Sequence, residues 1–367
     1  MHRLESATYC AEVDDIAELS LNWNALENTV IVISGASGLI GTFLVDVIMR
    51  RNATHRLNCT IWALARDMDR LLERFDIYGD NPGLNLGARD LAMGIGLRGL
   101  LTGAGVDEID PDPGRIDYVI HAASVTHPRA YASEPIDTIM TNVQGTYAML
   151  DLAASANARR ALLISSVEIY GENRDHLERL KETDLGYIDC NTLRAGYPEA
   201  KRVSEALGQA FAAERDLEVV ATRLPRVFGP TLRADDSKAS SQFLFAGMNG
   251  RDIVLRSDGQ QFYSYCHVAD AVSAILTTLL SGEPGQAYNV ADPGFDIRLR
   301  DLAALIADQC ATEVVFETPD DVESRGYSTA TRAVMNAAKL RTLGWAPRRT
   351  LDEAIESTLT VLREVLP

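Results

Sequence analysis

Two hydrophobic rhythms alternate along the first two-thirds of the chain. "TVIVIS" (29–34) is an unbroken apolar, β-branched run, the pattern of a strand buried on both faces. It gives way to the glycine turn "GASGLIG" (35–41), and "TFLVDVIMRR" then repeats its apolar residues at helical spacing. The runs "NCTIWALAR" (58–66), "RIDYVIHAAS" (115–124), "RALLISS" (160–166) and "LEVVATRLP" (217–225) predict further buried strands. Helical periodicity separates them at 136–156 and 198–215. A third strand belongs within 76–115, where glycines blur every period. Strands alternating with helices in this way predict an α/β protein of the Rossmann type, a doubly wound parallel sheet spanning 28–225. Beyond 225 the rhythm loosens into short strands, "DIVLRSD", "QFYSYCHV" and "GQAYNV", among helices. We expect residues 226–367 to form mainly a smaller, discontinuous C-terminal substrate domain, with some segments returning to the first. Residues 1–27 read as an acidic, partly helical N-terminal extension.

Composition narrows the function. With 367 residues, 46% of them hydrophobic, the chain can bury a large core. A formal charge of -17 offers no basic stripe to displace counterions from a phosphate backbone, which argues against a nucleic-acid partner. No apolar run reaches the ~20 residues needed to span a bilayer, and the N-terminus lacks a signal-peptide core, so the expected location is cytoplasmic. The five cysteines are scattered without metal-ligand spacing, so no metal site is expected.

Chemistry enters at the glycine turn. Gly35, Gly38 and Gly41 recur every three residues between a strand and a helix, where glycine lets the backbone approach a dinucleotide pyrophosphate at the helix N-terminus. At the end of the second strand Ala65 holds the position at which an NAD enzyme carries a ribose-binding acid. Arg66 follows it and suits a 2′-phosphate, which tilts the choice toward NADP. If the register shifts by one, Asp67 serves the ribose instead, so the cofactor is NAD or NADP.

A second constellation is Tyr197 and Lys201, four apart and on one face of a helix whose first turn contains Pro198. A neighbouring ammonium and the helix N-terminus are expected to lower the phenol pKa and suit it to proton transfer. With the glycine turn and the serine pair ending "RALLISS", the chain resembles the extended short-chain dehydrogenase/reductase family of NAD-dependent epimerases, dehydratases and decarboxylases. The likeness runs from residue 28 to the C-terminus. It is carried by "GASGLIG", "HAAS" (121–124), "TNVQGT" (141–146), "SSVEIYG" (165–171), Tyr197 with Lys201, "RVFGP" (226–230), "HVADAV" (267–272) and "LGWAP" (343–347). In its motifs it is most similar to UDP-glucuronate decarboxylase-like enzymes.

The resemblance implies a set of roles. Ser166 would hold a sugar hydroxyl, Tyr197 would take its proton, and Lys201 would orient the ribose. Gly35, Ser37, Gly38, Leu39, Ile40 and Gly41 would face the cofactor, with Ala122, Ala123, Ser124, Asn142, Ser165 and Pro225 along its length. Ser124 and Thr126 would touch substrate. Glu168 occupies the place of a catalytic or substrate-orienting carboxylate. Dehydratases of this family carry an Asp just before that Glu, and Val167 stands there here, which sets decarboxylation ahead of dehydration. Two departures mark the expected diphosphate grip: Arg226 replaces an Asn, and Tyr263 replaces an Arg. Arg226, Arg233 and Lys238 are the cations available instead. The resemblance implies a homodimer, for whose four-helix contact the helical C-terminus and the segments "TYAMLDLAASA" (146–156) and "EALGQAFAAE" (205–214) offer apolar faces. The reaction expected is oxidation of a nucleotide sugar at C4 followed by decarboxylation, epimerisation or dehydration. Alternatives are an NADPH-dependent reductase of a non-nucleotide alcohol or ketone, and a non-catalytic dinucleotide-sensing protein. His121 and His267, each flanked by apolar residues, read as core histidines rather than bases.

Overall fold

A computed structural model describes residues 1–91, 115–126, 128–317 and 330–366. Its centre is a sheet of seven parallel strands in the order β10-β6-β5-β4-β1-β2-β3. These strands are β1 (Val30–Ser34), β2 (Thr60–Ala65), β3 (Leu84–Ala88), β4 (Tyr118–His121), β5 (Arg160–Ser166), β6 (Val219–Leu224) and β10 (Ala287–Asn289). The strands expected from apolar runs are all present, and β3 falls inside the glycine-blurred stretch; residues 92–114 of that stretch lie outside the described residues. Ile31, Val32 and Ile33 of β1 are fully buried, as a strand covered on both faces requires.

Helices α2 (Leu39–His55), α3 (Met68–Phe75), α5 (Pro135–Ser155), α6 (Gly196–Arg215) and α8 (Val268–Ser281) cover the sheet, after the short α1 (Ala7–Ala17) and alongside α4 (Pro128–Ser133). Strand order reverses between β1 and β4. In such a sheet the crevice at this reversal is where ligands bind. A second sheet forms from β7 (Arg226–Phe228), β9 (Phe262–His267), β11 (Asp296–Arg298) and β13 (Arg332–Ala333), with β9 at its centre. Strand β8 (Ile253–Leu255) pairs with β12 (Val314–Phe316), close to α7 (Ala239–Met248) and α9 (Leu299–Cys310). Strand β10 sends the later chain back to the main sheet, and the terminal helix, α11 (Leu351–Val365), follows the single turn α10 (Ala338–Arg341). Among the described residues no helix is long and apolar enough to cross a membrane.

The N-terminal extension is part of the core. Tyr9, Val13, Ile16 and Ala17 of α1 are buried in the main apolar cluster. Arg3, with 4% of its side chain exposed, grips the fully buried Asp46 of α2 through Nε (2.7 Å) and Nη2 (2.9 Å). Tyr9 and Tyr78 donate to the same carboxylate at 2.5 and 2.9 Å. Removing one charge of such a pair strands the other in a medium that solvates it poorly. Arg3→Met is therefore expected to cost ~3 kcal/mol or more, read as a lower denaturation midpoint; an unchanged midpoint would mean the Arg3–Asp46 pair adds nothing to stability.

Candidate active site

The C-terminal ends of the parallel strands open into a cleft of about 500 Å³. Its floor is the turn after β1, where the chain must bend sharply under the end of β4. Gly35 sits at φ 69°, and a Cβ there would lie 2.6 Å from the Ala123 nitrogen. A Cβ on Gly41 would lie 2.3 Å from the Gly35 carbonyl oxygen, so only glycine lets α2 start this close to the turn. Gly38 caps α2 without a side-chain acceptor, which leaves the first-turn N–H groups for something in the cleft. Ser37, Leu39 and Ile40 line the same wall. A close-approaching backbone, free helix N–H groups and the positive end of a 17-residue helix fit a dinucleotide pyrophosphate.

At the far end of this wall Ala65 ends β2. Arg66 is exposed on the rim, 3.7 Å from Asp137. Asp67 is committed to capping α3, accepting from the N–H groups of Asp69 (3.0 Å) and Arg70 (3.4 Å). The opposite wall follows β4. The Ala123 N–H donates to Ser34 Oγ (3.3 Å), whose hydroxyl also meets His121 Nδ1 (2.8 Å). His121 is buried: burial, then the Lys201 charge, lower its pKa to about 3 and keep the ring neutral. Ser124 donates to Asn142 Oδ1 (2.7 Å). Asn142 itself is fully buried, and instead of lining the cleft it orients Ser124 from behind.

Strand β5 delivers the chemistry. Ser165 turns its hydroxyl to Glu205 (2.5 Å), whereas Ser166 caps the short 3₁₀ turn Val167–Tyr170 by accepting from the Glu168 N–H (3.2 Å). Tyr197, in the first turn of α6, lies beside the hydroxyls of Ser166 and Ser124. Lys201, one turn later and 4% exposed, donates to the Ile164 carbonyl (2.9 Å). Its ammonium lies 5.9 Å from the Tyr197 ring centre. The expected lowering of the phenol pKa is not what the structure shows. Burial dominates and pushes Tyr197 up to about 12, with the two serine hydroxyls opposing it. The same burial brings Lys201 down to about 8.

Glu168 is held by two guanidiniums: Arg194 Nη2 at 2.7 Å and Arg226 Nη2 at 3.4 Å. Sequence reasoning missed Arg194, which arrives from the 3₁₀ turn Leu193–Ala195 just ahead of Tyr197; its place three residues before that tyrosine was the one signal. It also missed Tyr131, whose ring stacks on Tyr197 (4.8 Å, 18°) and has the Arg194 guanidinium 4.9 Å from its centre. Arg194 Nε and Nη1 and Arg226 Nη1 are buried without a hydrogen-bond acceptor. Arg194 and Arg226 both line the cleft, as do Thr126, Pro225 and Tyr263. Tyr263 lies flat under Arg226 (3.4 Å to the ring centre) and donates its hydroxyl to the Ala330 carbonyl (2.8 Å). Arg233 and Lys238 line the cleft too, each tied to a nearby acid, Asp235 (2.6 Å) and Asp236 (2.9 Å).

Comparison with known proteins gives the arrangement a context. The sequence model of the NAD dependent epimerase/dehydratase family matches residues 31–291. The chain is 28% identical to UDP-glucuronic acid decarboxylase 5 of Arabidopsis thaliana over 332 residues, 89% of this chain and 87% of that protein. It is 30% identical to UDP-glucuronic acid decarboxylase 1 of Xenopus tropicalis over 264 residues, 71% of this chain and 60% of that one. The fold is similar to dTDP-glucose 4,6-dehydratase from Bacillus anthracis strain Ames, solved in complex with NAD (TM-score 0.74, 19% identity, 92% of this chain and 97% of the other).

The burial of Tyr197 has a direct readout. In the ligand-free protein the tyrosinate absorbance that Tyr197→Phe removes is expected to appear near pH 12, above the ordinary phenol value of 10.0. Appearance at or below 10 would show that the ammonium outweighs burial.

Proposed function

The chain belongs to the NAD dependent epimerase/dehydratase family, and we propose that it binds a nicotinamide dinucleotide and oxidises C4 of a nucleotide-activated sugar before changing the neighbouring carbon. The observation that carries this reading is the convergence of Ser124, Ser166 and Tyr197 on one point of the cleft, with Lys201 behind them and Glu168 beside them. The turn at Gly35–Gly41 would hold the pyrophosphate. When bound, the nicotinamide supplies a reversible hydride acceptor.

The chain's own residues would do the rest. Ser166 and Ser124 align the sugar hydroxyl and Tyr197 takes its proton, while Lys201 compensates the developing phenolate charge. Glu168, fixed by Arg194 and Arg226, presents a carboxylate at the next carbon. Arg194 and Arg226 line the cleft and would supply local positive charge for an anionic group there, where the Tyr263 hydroxyl is turned to the Ala330 carbonyl.

Decarboxylation stands ahead of epimerisation and dehydration for two reasons. The relatives matched over most of the chain are decarboxylases. Eliminating water needs an acid for the leaving hydroxyl, and Val167 is a buried apolar side chain in the turn beside Glu168. Loss of carbon dioxide from C5 needs only the 4-ketone: the C5–C6 bond breaks, its electrons pass into the carbonyl as an enolate, and C5 then takes a proton. Cofactor choice rests on Ala65 and on Asp67, whose carboxylate is spent on α3; both favour acceptance of NADP alongside NAD, and comparing the two affinities settles it.

The functional test is mass spectrometry of reactions with UDP-glucuronate and dTDP-glucose, with NAD and NADP each supplied. Loss of carbon dioxide from UDP-glucuronate is the expected outcome, with Tyr197→Phe slowing it ~10²-fold or more and Glu168→Gln blocking product while a 4-keto species still forms. Full turnover by Tyr197→Phe would overturn the proton-transfer assignment. A blank with both sugars, after chromatography has excluded epimers, would favour an NADPH-dependent reductase.

We also propose a homodimer built on the outer faces of α5 and α6, which pack against each other. Ile136 (77% exposed) and Tyr147 (51%) on α5, with Met140 between them and Val203 on α6, form an apolar face that solvent alone covers poorly. Sedimentation should give a dimer, converted to monomer by Met140→Glu with Tyr147→Glu; a wild-type monomer would refute it.

A further inference from the structure

Arg202 follows Lys201 on α6 and has no part in the chemistry above. Its guanidinium donates to two main-chain carbonyls on two separate segments, Nε to Ile169 at 2.8 Å and Nη2 to Gly186 at 2.7 Å. Those are the lengths of charge-assisted bonds. Nη1 lies 3.5 Å from Glu199, one turn earlier on the same helix.

The two segments are the ones that bear the Glu168–Arg194 pair. Ile169 is next to Glu168 in the 3₁₀ turn Val167–Tyr170, and Gly186 precedes the stretch that runs on to Arg194 in the turn Leu193–Ala195. They also meet backbone to backbone. Glu172 N–H donates to the Tyr187 carbonyl (2.8 Å) and Tyr187 N–H to the Glu172 carbonyl (3.3 Å), and a Cβ on Gly186 would lie 1.3 Å from the Tyr170 carbonyl oxygen. Glu168 stands beyond the end of β5 at Ser166, and Arg194 stands ahead of the start of α6 at Gly196. Where they sit relative to Tyr197 therefore depends on what ties these connections to the helix.

We propose that Arg202 is a positioning residue for the second step of the reaction: by fastening both connections to α6 it sets the Glu168 carboxylate against the Tyr197 phenol. This deepens the reading of Glu168 as the carboxylate at the neighbouring carbon, and it rests on that reading. Ser166, Tyr197 and Lys201 reach the cleft from β5 and α6 themselves and need no such tie. Hydride transfer at C4 and the change at the next carbon should thus respond differently to the loss of Arg202. A planar guanidinium spans two carbonyls in a fixed fork, which an ammonium does not.

The test separates the two steps with UDP-glucuronate. In single turnovers of Arg202→Gln, reduced-nicotinamide absorbance should form at nearly the wild-type rate, while loss of carbon dioxide falls ~10-fold or more and the 4-keto species accumulates. Arg202→Lys should restore part of the second step. A side chain that only holds the fold together would slow both steps alike; that result, or full loss of carbon dioxide, overturns the proposal. Amide hydrogen exchange reads the tie without substrate. In Arg202→Gln the amides of Gly171, Glu172 and Tyr187, bonded to the Glu168, Tyr187 and Glu172 carbonyls in turn, should exchange ~10-fold faster. Tyr170 keeps its bond to Asn289 (2.7 Å), so the variant is expected to fold, and undiminished protection of β4 and β5 is the control. Unchanged exchange overturns the proposal. Faster exchange in the variant with a wild type inert toward UDP-glucuronate supports the tie at Arg202 and counts against the proposed reaction instead.

Discussion

An ammonium and a phenol must be taken out of water, and a carboxylate half out, within a few ångströms at the end of one strand, and much of the architecture follows from that requirement. Lys201 and Tyr197 are each more than nine-tenths buried, and each is satisfied by an element other than its own: Lys201 by the β5 backbone, Tyr197 by serines after β4 and on β5. Glu168 is satisfied by arginines from the segment before α6 and from β7. An unpaired charge at any of these points would cost several kcal/mol. The site thus holds together only when the sheet, the helix and the second sheet are all in register.

The arginines show how an acidic protein can serve an anionic ligand. The formal charge of -17 repels anions at long range, so attraction has to be local. Arg194 and Arg226, both lining the cleft, carry the positive charge that the proposed anionic ligand would meet there. Glu168 meanwhile keeps the pair from carrying two uncompensated buried charges. The stacking of Arg226 on Tyr263 fixes a planar guanidinium in one orientation, a role that a flexible lysine could not fill.

Much of this was legible in one dimension. β-branched runs are buried wherever they sit, so the parallel strands and the glycine turn followed from local pattern. Spacing of four on a helix put Tyr197 and Lys201 on one face. The resemblance put both Ser124 and Asn142 along the cofactor; Ser124 lines the cleft, whereas Asn142 lies behind it and accepts the Ser124 hydroxyl, a difference of depth that sequence does not contain.

The sequence by itself determined the sheet, the position of the glycine turn and the residues that end β5, since each depends on contacts between near neighbours or on simple burial. Tertiary structure alone decided the electrostatics. Arg194 reaches Glu168 across 26 residues and Arg226 across 58. Glu205 finds Ser165 across 40. The direction in which Tyr197 titrates depends on how completely neighbouring elements exclude water, and that is a property of packing that spacing along a chain does not contain.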